Sequence, residues 1–218
     1  MACPFEDPVV PLIDGRHVGT LYTQTGWQLG ERYSLDQILE LTQFVSQFTH
    51  KQEHMATKSV SELWPYIHGS HAFPWIIDTH QGPEVLAFAK LNPWDVSAVG
   101  AIHESENGSS FSDLSEQVME VSTFFVNPFN RPEYKGFGRQ YIQHVLRAAY
   151  RTYPTSTTIA VVQAENDSAY HYFQKVGGQE VCHFWYEHTL AEGVKGEKVL
   201  FNLTSVARVG SADYSSIH

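Results

Sequence analysis

The residues of this chain with the most chemical potential lie between positions 118 and 150, in VMEVSTFFVNPFN, RPEYKGFGRQ and YIQHVLRAAY. Gly136 and Gly138 stand where a period-2 apolar stretch gives way to a 3.6-period one. Glycines at such a hand-over let the backbone approach a ligand closely, and the first free N–H groups of the following helix then point at it. The helix dipole favours an anion at that place, so the turn suits a phosphate. The run Gly136-Phe137-Gly138-Arg139-Gln140-Tyr141 lacks the third glycine of a dinucleotide-binding turn, and no Gly-Lys-Ser/Thr ending marks a P-loop. A phosphate here would be held in another way. On the strand before the turn, Glu120 is the only ionisable group of the mixed face formed by Val118, Glu120, Ser122, Phe124 and Val126.

The elements that must position these groups can be read from patterning. Met119, Val121, Thr123 and Phe125 predict one nearly apolar strand face over Val118–Val126, and Tyr141, Ile142, Val145, Leu146 and Ala149 predict one buried helical stripe. Upstream, residues 17–24 read as a first strand. Ser34 with Gln37 and Ser59 with Glu62 are capping boxes that open two helices. The first of these helices has Leu35, Ile38, Leu39, Leu41, Phe44, Val45 and Phe48 as buried candidates. Trp75–Thr79 and residues 84–91 read as strands joined by the turn at 80–83, residues 96–104 look extended, and 107–115 form a Gly/Ser/Asp loop. Downstream, Thr157–Gln163 is apolar enough for a central strand. Asn166 or Asp167 can cap a helix over 168–176 that stops at Gly177-Gly178, and residues 180–188 and 197–206 alternate as strands. Residues 207–218 are expected to be a flexible tail.

Composition bounds the function. The 218 residues, 42% apolar and 13% aromatic, suit one large domain with a real core. A net charge of −10 argues against a nucleic-acid binder and points to a cationic substrate or basic partner. Cys3 and Cys182 make neither a disulfide framework nor a zinc site, which implies a reducing compartment. No stretch is long enough to span a bilayer, and the start has no signal-peptide pattern, so a cytoplasmic location is expected. The pairs His68/His71 and His183/His188 lack the carboxylate and cysteine company of a metal site, and no metal is expected. Trp64, Trp75, Trp94 and Trp185 read as core or cleft wall.

Residues 118–186 resemble the GNAT superfamily of acyl-CoA-dependent N-acyltransferases in motif content and order. Gly136 and Gly138 match the small positions of its Gln/Arg-x-x-Gly-x-Gly/Ala turn, with Glu133 where the family has Gln or Arg, and Arg131, Lys135 and Arg139 flanking it. Asn166-x-x-Ala169-x-x-Tyr172-Phe173-x-Lys175-x-Gly177 is similar to the family's Asn-x-x-Ala-x-x-Leu-Tyr-x-Lys-x-Gly signature. The resemblance implies an α/β fold with a central mixed sheet flanked by helices. It also implies one domain: residues 1–116 on the acceptor side, 117–190 as the acyl-CoA core and 207–218 as the tail. Acetyl-CoA is the implied cosubstrate, gripped by Phe124, Phe125, Val126, Arg131, Lys135, Gly136, Phe137, Gly138, Arg139, Asn166 and Phe173. An amine-bearing acceptor is the implied partner, with a second copy of the chain as an option and neither nucleic acid nor membrane.

The family's chemistry is direct acyl transfer to an amine. Two strands splay apart, the pantetheine arm pairs with the freed backbone, and the strand N–H groups polarise the thioester carbonyl. Glu120, six residues before Val126, is the candidate base, with His103 and Glu104 as alternatives. Phe173 occupies the place where many members have a tyrosine that protonates the leaving thiolate. Tyr172, about 100° round the helix, is the candidate catalytic hydroxyl, with water or unaided departure of the thiolate as the alternatives. A non-catalytic acyl-CoA sensor on the same fold is the second reading, supported by Glu133 and Phe173. O-acyl transfer or acyl-CoA decarboxylation is the third.

Overall fold

The computed structural model describes residues 8, 12–13, 16–23, 25–52, 55, 57–69, 71–94, 102–104, 117–126, 137–186 and 196–212. These have the mixed α/β architecture expected, a mixed sheet flanked by helices. Two compact units arise, one from Met1–Glu53, Thr57–Lys90 and Thr123–Tyr141, the other from His54–Ala56, Leu91–Ser122 and Ile142–His218. Strands β5 (Gly82–Trp94) and β7 (Val118–Val126) and helix α4 (Phe137–Thr152) run from one unit into the other.

The first unit opens with β1 (Leu12–Ile13) paired antiparallel to β2 (Arg16–His17), then β3 (Thr20–Leu21). Residues 17–24 are therefore not one strand. Gly19, at φ +67, breaks the run, and a Cβ there would lie 2.3 Å from the Ile76 carbonyl oxygen. Helices α1 (Thr25–Arg32), α2 (Leu35–His50) and α3 (Val60–His68) follow, then β4 (Trp75–Thr79), which pairs antiparallel with β3 and with β5. Both capping boxes are present, with Ser34 Oγ accepting from Gln37 N–H and Ser59 Oγ from Glu62 N–H. Residues of α1, α2, α3, β4 and β5, among them Leu29, Leu41, Ile67, Ile76 and Phe88, enclose an apolar void of about 10 Å³, too small for a ligand. The end of α1 is tied to β4 by Tyr33, whose hydroxyl donates to Asp78 at 2.9 Å, and by Arg32, 2.5 Å from the same carboxylate.

The buried side of α2 differs from the apolar reading. Leu35 is 63% exposed and Leu39 36%, whereas Thr42, Ser46 and Thr49 are buried. These hydroxyls carry their own partners inward: Thr42 donates to Ile38 O, Thr49 to Ser46 O and Ser46 to Lys58 O, each within 2.8 Å. A satisfied hydroxyl is small enough to face a core, so the stripe turns away from Leu35 and Leu39.

In the second unit the strand order is β5-β7-β8-β10-β9-β6, with β8 (Thr157–Gln163) parallel to β7 and antiparallel to β10 (Gly196–Asn202). β9 (Gln179–Tyr186) lies between β10 and β6 (Ile102–Glu104), antiparallel to both. Helix α5 (Asp167–Lys175) is capped by Asn166, whose side chain accepts from Ala169 N–H, and it ends before Gly177 at φ +95. The expected strand over 197–206 stops at Asn202. Its carboxamide oxygen accepts from Thr204 N–H and starts α6 (Thr204–Ala212), so residues 207–212 are helical rather than tail, with Ala207 fully buried. The loop at 107–115 lies outside the described residues.

All five stripe residues of α4 are buried. On its half-buried side, His144 is pushed down to about 4, by burial first and then by Arg147 and Arg151. Its folded value lies below the ordinary 6.5, so the unfolded chain binds the proton first as pH falls. Stability is intact above about pH 6.5 and lost towards pH 4, by roughly 2 kcal/mol after allowance for solvent screening. In His144→Leu, unfolding free energies from urea titrations at pH 7 and pH 4.5 should differ less than in the wild type by about that amount.

Candidate active site

Within the first unit, the end of β7 meets the start of α4 where the Phe124 ring stacks on that of Tyr141. Thr123 has φ +50, a sparsely populated conformation for a β-branched residue. Ser122 bonds Asn92 of β5, while Phe125, three residues on, stacks against Phe88 of the same strand. Of the apolar face expected over Val118–Val126, Met119, Val121 and Phe125 are buried. Phe125 is buried 4.0 Å from the Phe48 ring, Phe124 stacks on Tyr141 at 5.7 Å, and Val126 is half-buried at the strand end.

The first turn of α4 is anchored from below. Phe137 is 2% exposed with its ring 4.0 Å from that of Trp75, and the Tyr141 hydroxyl donates to Phe73 O. Gly138 is half-buried and Arg139 exposed, and that turn carries no acidic side chain. Within that turn the positive end of the helix dipole meets no carboxylate, a condition that suits an anion. Arg131, Glu133, Lys135 and Gly136 lie outside the described residues.

Within the second unit, β7 and β8 pair over Val118–Thr157, Met119–Thr158 and Glu120–Ile159. Both strands continue past that point, β7 to Val126 and β8 to Gln163, and among the described residues no pair joins them there. On its other edge β8 stays paired with β10 as far as Gln163–Lys198. Glu120, half-buried, stands at the last pair of the ladder.

Asn166 spends its side-chain oxygen on the α5 cap, 3.1 Å from Ala169 N. Phe173 is 3% exposed and stacks on Phe201 of β10, so its ring serves the core. Tyr172 points elsewhere, its ring at 84° to that of Phe173, and burial pushes its phenol well above the ordinary tyrosine value. A hydroxyl held neutral in this way can donate a hydrogen bond at any physiological pH. His103 and Glu104 lie on β6, which is separated from β7 in the sheet by β9, β10 and β8; their side chains are outside the described residues. The Asn92–Ser122 hydrogen bond of 2.8 Å was not foreseen, and a pair thirty positions apart leaves no local signal. Nor was the positive φ of Thr123, since no glycine or asparagine marks it.

No protein-family model matches the chain, and no curated protein does. Among solved structures, Arabidopsis thaliana NAA60 in complex with acetyl-CoA aligns at a TM-score of 0.53 and 14% identity, over 75% of this chain and 92% of that one. The same protein in complex with a bisubstrate analogue gives 0.52 and 15%, over 75% and 91%. At such identity the likeness bears on the backbone alone, and on that ground the chain has the GNAT acetyltransferase fold.

Proposed function

We propose that this protein is an acyl-CoA-dependent N-acetyltransferase. The end of the β7–β8 ladder at Glu120–Ile159 carries the reading. In this reading the end of that ladder is where the pantetheine amides lie, and N–H groups of β7 polarise the thioester carbonyl. The anion-ready start of α4, with Gly138 and Arg139, is a place for the pyrophosphate, joined in this reading by Gly136 and by the cations Arg131 and Lys135. Residues 1–218 are read as one domain, since β5, β7 and α4 each run through both units.

In the proposed reaction the acceptor arrives as an ammonium ion and gives one proton to Glu120, directly or through water. The neutral nitrogen attacks the thioester carbonyl carbon. An N–C bond forms, the C–S bond breaks, and CoA leaves as a thiolate that takes up a proton. Tyr172 is assigned as the hydrogen-bond donor to that sulfur. The net change is ammonium plus acetyl-CoA giving amide, CoA thiol and a proton. The charge of −10 supports a cationic acceptor, either a small amine or a basic peptide.

The packing of Phe173 into the core favours one other reading, an acyl-CoA sensor without turnover. Incubation with acetyl-CoA and a panel of amines, with acetylated product and free thiol measured together, separates the two. Equal release of both establishes transfer; tight acetyl-CoA binding with neither product establishes the sensor.

A further inference from the structure

Burial along the last strands of the second unit singles out one amine, and the inference from it rests on the acetyltransferase reading. Ile159, Phe184 and Leu200 belong to one buried cluster, so they share a sheet face. Lys198 stands two residues before Leu200 and Gln163 four after Ile159, which brings both to that face. The registers agree, with Lys198 opposite Gln163 on β8 and Phe184 on β9. Glu120, beside Ile159 at the last β7–β8 pair, is on the same face. The face is closed at Ile159 and Leu200, both fully buried, and gains exposure towards Val161, Gln163 and Lys198, which are half-buried.

The Lys198 amine differs from those of the other described lysines. Lys51 and Lys175 are exposed, Lys58 lies 3.4 Å from Glu62, and Lys90 is buried over the Tyr66 ring. Lys198 is half-buried, and among the described residues its amine has no hydrogen-bond or ion-pair partner. Glu165 acts on it only at a distance. Glu104 of β6 falls on the same face two strands away, its side chain outside the described residues. Burial holds the amine below the ordinary lysine value, against the opposing pull of Glu165. More of it is therefore neutral and nucleophilic than of an exposed lysine at the same pH. Strand β10 is next to β8, about 4.8 Å away, and a lysine stem is flexible enough to reach across one strand. We infer that Lys198 is a self-acetylation site, its ε-amine taking the acetyl group of acetyl-CoA bound to the same chain. The ammonium loses a proton to solvent and its nitrogen attacks the thioester carbonyl carbon. An N–C bond forms, the C–S bond breaks, and the departing thiolate takes up a proton. Lysine ammonium plus acetyl-CoA thus give an Nε-acetyl-lysine, CoA thiol and one proton.

The test incubates the full chain with acetyl-CoA and no acceptor, locates acetyl groups by peptide mass spectrometry, and titrates acetyl-CoA as a separate readout. The expected result is one acetyl group on Lys198, added at least roughly tenfold faster than on Lys51 or Lys175. The rate per chain should saturate near the acetyl-CoA Kd, fall when CoA is added and stay constant as protein concentration rises. In urea-unfolded chain the preference for Lys198 should vanish. Lys198→Arg should take up acetyl roughly tenfold more slowly while binding acetyl-CoA as the wild type does. Binding of acetyl-CoA with Lys198 unmodified overturns the inference and leaves the acetyltransferase reading standing. So does acetyl spread evenly over the lysines, or a Lys198 rate that climbs without saturation and ignores added CoA. A rate per chain that rises with protein concentration overturns it too. Failure of the folded wild type to bind acetyl-CoA removes the acetyltransferase reading itself.

Discussion

Glu120→Gln is expected to lower the rate of acetyl transfer at neutral pH by about 10²–10³-fold, the usual contribution of a positioned general base. The acetyl-CoA Kd should stay within about twofold, because Glu120 is assigned as the base and not to the cofactor. The substitution removes a charge at nearly constant volume from a half-buried position, so the fold should survive it. Raising the pH ought to restore part of the lost rate, since more of the amine then arrives without its proton. Steady-state kinetics across pH 6 to 9 check this directly. A variant as fast as the wild type at every pH would take the base role from Glu120 and return it to a water chain.

The second large effect concerns stability. Trp75 is fully buried, with its ring 4.0 Å from that of Phe137 and 6.0 Å from that of Tyr141, and its indole N–H donates to Val18 O. Trp75→Ala should cost about 3–5 kcal/mol through lost burial and a residual cavity, with a further contribution from the unpaired Val18 carbonyl. Against a total of about 5–15 kcal/mol that is a large fraction, and Tm should fall by about 10 °C or more. The loss also reaches function, because Phe137 opens α4 and rests on Trp75. Acetyl-CoA affinity should weaken in the folded variant at low temperature, whereas Leu35→Ala, at a 63% exposed position, should move neither property.

Much of the fold was legible where local rules agree with tertiary demand. Both capping boxes start helices, the stripe from Tyr141 to Ala149 is buried throughout, and Thr157–Gln163 lies inside its sheet. The misreadings have physical causes. Leu35 and Leu39 were assigned to the core because apolarity was equated with burial, whereas Thr42, Ser46 and Thr49 satisfy their hydroxyls and take the inner face. Helix α6 depends on Asn202 as a cap and on the Thr204 hydroxyl, which accepts from Thr158 N–H; the second is a contact no window of sequence contains. Of the site, Glu120, Gly138 and Asn166 were visible as residue types at motif spacing. The Asn92 partner of Ser122 became visible only when the strands were laid side by side.

The central claim, that the chain grips acetyl-CoA where β7 hands over to α4, is tested most directly by calorimetric titration of CoA and acetyl-CoA into the wild type and into Gly136→Trp. A tryptophan at the small position of the turn should bar the pyrophosphate from the helix start. Micromolar binding to the wild type that is lost in a folded Gly136→Trp variant is the result predicted. A folded wild type that binds neither ligand would contradict the account.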